Sequence, residues 1–159
     1  REDYDTMSEK NGASLMQHPH NNPVLDAIIQ TSIAAEFIRQ NVDQVCGKLG
    51  ITGTQYNVLR ILKRAHPRGC SRNEVLAQLI EKSVDVTRVI DGLERRGFVE
   101  RLRTSEDRRL SLSMITTSGI TLLGDLDIEF MALLNDITHK LSEEQWKELA
   151  TICRTLSQR

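Results

Sequence analysis

Apolar residues recur every three to four positions from residue 23 to about 96, alternate with polar ones from 98 to 115, and return to the longer spacing from 117 onward. The first and last regimes predict helices, and the middle one predicts a β-hairpin. Residues 1–22 follow neither period. They are rich in Asn, His, Ser and Asp and read as a polar arm. Asn22-Pro23 then sets a capping side chain before a proline whose missing N–H is harmless at a helix start. The helix it opens reaches Lys48, carries Ala34, Ile38, Val42, Val45 and Leu49 as one stripe, and ends at Gly50.

Thr52 followed three residues later by Gln55 has the spacing of a capping box. The helix behind it holds Tyr56, Val58, Leu59, Ile61 and Leu62 and stops before His66-Pro67-Arg68-Gly69. Ser71 and Glu74 form a second box, opening a helix with Val75, Leu76, Leu79 and Ile80. Ser83 is the expected cap of a fourth helix, which runs to about Arg96 and ends at Gly97. The hairpin strands are 98–104 and 109–115, with Leu110, Leu112 and Met114 on one face and Arg109, Ser111 and Ser113 on the other. Thr116 or Thr117 caps a long fifth helix whose Leu123, Leu126, Phe130, Leu133 and Ile137 have heptad spacing. Ser142 and Gln145 open a sixth helix, which contains Trp146, Leu149, Ile152, Cys153 and Leu156. A chain of 159 residues can bury a core without disulfides or metals. The expected fold is mostly α with a small β-hairpin wing: a winged helix-turn-helix lobe over 51–116, flanked by helices.

Net charge is -1, which by itself argues against a nucleic-acid partner. Its distribution reverses that inference. Residues 1–59 hold 4 basic and 7 acidic side chains, 60–110 hold 13 and 8, and 111–159 hold 4 and 7. The segments therefore carry -3, +5 and -3, and the basic segment coincides with the expected lobe.

In the fourth helix Val86, Val89, Ile90 and Leu93 fall on the side expected to pack, while Val84, Thr87, Arg88, Asp91 and Arg95 fall on the other. A hydroxyl, an arginine and a small apolar group suit a major groove, where Arg reads guanine and Thr or Val meets a thymine methyl. Asp91 would repel phosphate there, and Arg88 or Arg95, three and four residues away, are its expected partners. The hairpin adds Arg101, Arg103, Arg108 and Arg109, with Asp107 at its tip. A tip arginine suits a narrow minor groove, and Asp107 is placed to steer Arg109.

Several stretches resemble the multiple-antibiotic-resistance regulator (MarR) family: 54–59 (TQYNVL), 73–76 (NEVL), 86–101 (VTRVIDGLERRGFVER), 107–109 (DRR) and 116–119 (TTSG). The resemblance covers about residues 24–157 and is most specific over 86–119. It implies a dimeric winged-helix transcription regulator, usually a repressor, often relieved by a small phenolic or aromatic ligand or by oxidation. It also implies that Asp107 and Arg109 match the family's wing Asp-x-Arg, and that residues 83–88 match the start of its recognition helix, which adds Ser83 and Asp85 to the DNA-binding candidates. The sequence departs from the pattern at Lys82-Ser83-Val84-Asp85, so base preference does not transfer. Gly92 replaces a longer residue and should loosen its helix by up to about 1 kcal/mol.

A dimer would set two recognition helices roughly 34 Å apart on a palindrome. The helical regions 23–50 and 117–159 are the expected dimerisation layer, through Ile28, Ile29, Leu149, Ile152 and Leu156. A ligand is expected where that layer meets the lobe, with Phe37, Tyr56 and Phe130 as candidates. The family's peroxide-sensing branch uses a cysteine early in the first helix, but that position falls near Ile28, so Cys46 is expected to be a buried small apolar residue. Cys46, Cys70 and Cys153 fit neither a disulfide framework nor a paired metal site, and His18 and His20 lack further ligands. No cofactor, metal or catalytic set is expected. With no run of about 18 apolar residues and no basic-then-apolar leader, the expected place is the cytoplasm, on the nucleoid. The competing reading is a winged-helix protein-interaction module whose arginines meet an acidic partner. A small metal-assisted enzyme using the histidines is a third.

Overall fold

Each predicted helix start that carries a capping box forms one. In the computed structural model, which describes residues 22–103 and 111–158, Asn22 Oδ1 accepts from the Val24 and Leu25 N–H groups and opens α1, Pro23–Lys48. Thr52 and Gln55 exchange side-chain and backbone bonds at the head of α2, Gly53–Ala65. Ser71 and Glu74 do the same at α3, Arg72–Gln78, and Ser142 with Gln145 at α6, Glu143–Ser157. Thr116 caps α5, Thr117–Thr138, by accepting from the Gly119 N–H. Each such cap contributes about 1 kcal/mol.

One helix start and one helix end differ from expectation. α4 is Val86–Arg95, and its cap is Asp85, whose carboxylate accepts from the Arg88 N–H at 3.2 Å. Ser83 instead sits with its hydroxyl 3.4 Å from Glu81. α3 ends at Gln78, because Leu79 turns extended at the cap. Leu79 still reaches the core, but Ile80 leaves the helical face and is 91 % exposed.

The described residues fall into two units, divided between Gln40 and Asn41. In the first unit, the α1 residues Val24, Ile28, Ile29, Ile33, Phe37 and Ile38 are all exposed. The second unit contains the core. Val58, Leu59, Ile61 and Leu62 of α2 form its centre, with Val75 of α3 and Val86, Ile90 and Leu93 of α4 beside them. The heptad stripe of α5 divides along its length. Leu122, Leu123 and Leu126 are buried, Phe130 and Leu133 pack on the core's edge, and Ile128, Met131 and Leu134 face outward. On α6, Leu149, Ile152 and Leu156 are exposed.

The wing is wider than a hairpin. β2, Val99–Arg103, pairs antiparallel with β3, Ser111–Ile115, and a third short strand β1, Cys70–Ser71, pairs with the other edge of β3. The order β1-β3-β2 makes β3 central. The two faces divide as the alternation predicts, and the one that carries Ser113 is the covered one: Ser113 and Ile115 are buried, while Leu112 and Met114 are only half-buried. A central strand is covered on the face that packs on the helices, whatever its polarity pattern suggests. The chain turns from α4 into β2 at Gly97, whose φ of 74° lies in the left-handed region that glycine adopts without a Cβ clash.

Candidate nucleic-acid interface

α4 takes its orientation from its buried side. Val86, Ile90 and Leu93, spaced four and three apart, are buried, and Val89 packs against the same core. Thr87, Arg88 and Arg95 are exposed on the opposite side, as the spacing predicts. Val84 is not on that free face. It is half-buried and packs on the core, because it precedes the helix and does not belong to its first turn. The Asp85 carboxylate is occupied in capping.

Asp91 has a different partner from the one its helix suggests. Arg101 on β2 donates from Nη2 to Asp91 Oδ1, and its Nε lies 3.5 Å from Glu94 Oε2. Arg95 reaches only the Asp91 main-chain oxygen, at 3.3 Å. Arg88 makes no ion pair among the described residues. The Gly97 turn folds β2 back along α4, and that brings a residue ten positions later beside Asp91. One wing-root guanidinium thus faces both carboxylates of the outer helix surface. Arg101, one of the DNA-binding candidates, therefore acts as a strut between α4 and the wing.

A cleft of about 310 Å³ opens beside this strut. Ser71, Arg72 and Asn73 at the start of α3 form one wall, Thr87 and Ile90 of α4 another, and Arg101, Ser111 and Ser113 of the sheet the third. Arg72 and Asn73 were not among the sequence candidates. The signal for them was present: they directly follow the Ser71 cap, and the first helix of a helix-turn-helix crosses the nucleic-acid backbone. The Arg103 side chain and the wing-tip candidates Asp107, Arg108 and Arg109 lie outside the described residues.

The C-terminus of α4 is tied down on two sides. Arg96 Nη1 donates to the Gly50 carbonyl at 2.5 Å and its guanidinium lies 4.9 Å from the Phe98 ring centroid. Thr116 Oγ1 donates to the Gly97 carbonyl at 2.7 Å. The end of α4 is therefore joined to the α1–α2 turn and to the head of α5.

Of the ligand candidates, Tyr56 and Phe130 meet ring to ring, with centroids 4.6 Å apart. Burial pushes the Tyr56 phenol up from its ordinary value. Phe37 lies in the first unit and is exposed. Cys46 is fully buried, and desolvation first, then the Asp43 charge, pushes its thiol up to about 11. Cys70 is also buried and raised, chiefly by desolvation, while Cys153 is exposed. Among the described residues no group of three or more His, Cys, Asp or Glu is placed to hold a metal, and no helix is long and apolar enough to cross a membrane.

Comparison with known proteins agrees with this geometry. Residues 49–110 match the MarR family. The chain is 27% identical over 123 residues to the HTH-type transcriptional regulator PrsX of Escherichia coli, covering 77% of this chain and 74% of that protein. It is 28% identical over 121 residues to the HTH-type transcriptional regulator MhqR of Bacillus subtilis, covering 76% and 82%. Its fold is similar to that of the S. aureus MepR–DNA complex, with a TM-score of 0.71 and 25% identity over 81% of this chain and 95% of that one.

Proposed function

We propose that the chain, which matches the MarR family over residues 49–110, is a transcription regulator of that family, and that it binds double-stranded DNA in a sequence-specific way, as a homodimer on a palindromic operator, and represses transcription there. The observation that carries this reading is the outer face of α4. Its hydrophobic side is locked in the core, its two carboxylates are held by Arg101, and Thr87 and Arg88 are left exposed. Such a face fits a major groove, with Arg88 on guanine and the Thr87 methyl on thymine. Arg72 and Asn73 adjoin it and suit phosphate contacts that set register without reading sequence. Arg103, Arg108 and Arg109 extend the reading to a minor groove.

The dimer is proposed from apolar residues that are exposed: Ile28 and Ile29 on α1, and Leu149, Ile152 and Leu156 on α6. A second copy would bury them and set two α4 helices about one DNA turn apart. We place the protein with its DNA in the cytoplasm. Release by a small aromatic or phenolic ligand completes the proposal, with Tyr56 and Phe130 as the rings it would meet. Such a ligand must favour the arrangement that does not fit DNA, since equal affinity for both states shifts nothing.

The test is selection of bound duplexes from a random pool, followed by fluorescence anisotropy across a salt series. One palindrome should dominate, and affinity for it should fall steeply with salt. Binding with no sequence preference, or no binding, would overturn the proposal. Sedimentation at micromolar concentration tests the dimer, and a stable monomer would remove it.

A further inference from the structure

The basic segment carries more cations than the α4 face and the wing use. On α2, buried Val58, Leu59, Ile61 and Leu62 leave Lys63 and Arg64 exposed near the helix end, and α2 has no acidic residue. Arg64 Nη2 donates to Gln78 Oε1 at the end of α3, at 3.3 Å. Arg68 pairs with Glu74 at 2.8 Å, and Arg72 begins α3 beside the α4 cleft. These contacts set Arg64 beside the end of α3 and Arg68 beside its first turn, where Arg72 lies, and Lys63 precedes Arg64 on the exposed side of α2. Glu74 is the only acidic residue between 60 and 78, so the strip remains strongly positive.

We propose that this strip, Lys63–Arg64–Arg68–Arg72, is a track for the DNA phosphate backbone outside the half-site that α4 reads. The inference rests on the DNA-binding reading above and extends it. Two features select a phosphate backbone as the occupant. The strip is continuous with the α4 cleft through Arg72, so a duplex seated on α4 starts at its end. Its side chains are long cations with the amide of Gln78 and the single carboxylate of Glu74, a composition that follows a regular array of phosphates without reading bases. An acidic protein surface would require no such continuity.

The experiment compares two duplexes carrying the selected operator. One ends at the half-site edges, and the other extends each edge by ten base pairs of unrelated sequence. Wild-type protein and the Lys63→Ala/Arg64→Ala variant are titrated on both across a salt series. Wild type should bind the long duplex about tenfold more tightly and with a steeper salt slope. The variant should match wild type on the short duplex and lose the gain on the long one. Its slope on the long duplex should fall by about 0.9 per phosphate contact removed, up to about 3.6 for four contacts in a dimer. Circular dichroism and thermal melting confirm that the variant is folded; both substitutions are on the exposed side of α2. Equal wild-type affinity for the two duplexes, or a variant that keeps the gain, would overturn the track while leaving the operator reading intact. Failure of wild type on both duplexes would overturn the DNA-binding reading, and the track with it.

Discussion

Two glycines in α5 should respond to alanine with opposite signs. Gly119 lies in the first turn, under the root of the wing. A Cβ added there would fall 2.4 Å from the Phe98 carbonyl oxygen and 2.7 Å from Ile115 Cγ1. Carbon–oxygen contacts settle near about 3.3–3.6 Å, so backbone would have to retreat by about 1 Å. That carbonyl accepts the Thr116 N–H at 3.1 Å, and Thr116 also caps the helix. Overpacking of this kind costs about 1–3 kcal/mol, and weakening the Thr116 bond costs about 1 kcal/mol more. Alanine's better helix propensity returns about 1 kcal/mol. The net expectation for Gly119→Ala is a loss of about 1–3 kcal/mol.

Gly124 sits one and a half turns further along, exposed, with nothing within 4 Å of an added Cβ. Only the propensity difference acts there, so Gly124→Ala should stabilise by up to about 1 kcal/mol. Urea unfolding at one fixed protein concentration measures both, and unchanged m-values license the comparison. A Gly119→Ala midpoint at or above wild type would refute the close-approach argument. So would two variants that shift in the same direction by the same amount.

Arg109→Ala should weaken operator binding by about 1–3 kcal/mol with an unchanged circular dichroism spectrum; unchanged affinity would remove the wing role. Cys46, buried and pushed up to about 11, should stay unlabelled by a thiol reagent at neutral pH until denaturant is added; mass spectrometry of labelled peptides reads this, and labelling in the folded protein would refute the burial. The Arg68 guanidinium first, then bonding to Ser71, holds Glu74 at about 2 against an ordinary 4.5. A folded value below the unfolded one means that its stabilisation is complete above the ordinary value and is lost as pH falls from there through about 2. Glu74→Gln should therefore flatten the acid limb of the urea midpoint between about pH 5 and pH 2, and identical limbs would rule out this linkage.

Local signals were legible and non-local ones were not. The three capping boxes at Thr52, Ser71 and Ser142 are closed within four residues, and all three form. The buried positions of α2 and α4 likewise follow from a 3.6 period that needs no knowledge of neighbours. Strand β1 escaped notice because two residues, Cys70 and Ser71, carry no alternation. It exists because β3 offers them an edge more than forty residues later. The same strand made β3 central, with the face that carries Ser113 covered. The start of α4 was displaced by a competition between caps. Ser83 and Asp85 are both acceptable cap types, and the burial of Val86 and Ile90 sets the phase that selects Asp85.

The same distinction decides what the interface is made of. From the helix alone, Asp91 has two arginines within reach, and both choices satisfy side-chain spacing. Either would have consumed a cation of the outer face. The pairing with Arg101 spends a wing-root cation instead, and leaves the Arg88 head group without an ion pair among the described residues. It depends on the β2 register and on the tight Gly97 turn, neither of which periodicity contains. An exposed pair of this kind contributes little to stability, on the order of 1 kcal/mol or less. Its consequence is electrostatic and geometric: one cation offsets part of the charge of two carboxylates that would repel phosphate, and the wing is held against the helix it flanks. A net charge of -1 is therefore a poor guide to what this surface can bind: the excess of cations is concentrated in residues 60–110, and the acids nearest the α4 face, Asp85, Asp91 and Glu94, are engaged by the helix cap and by Arg101.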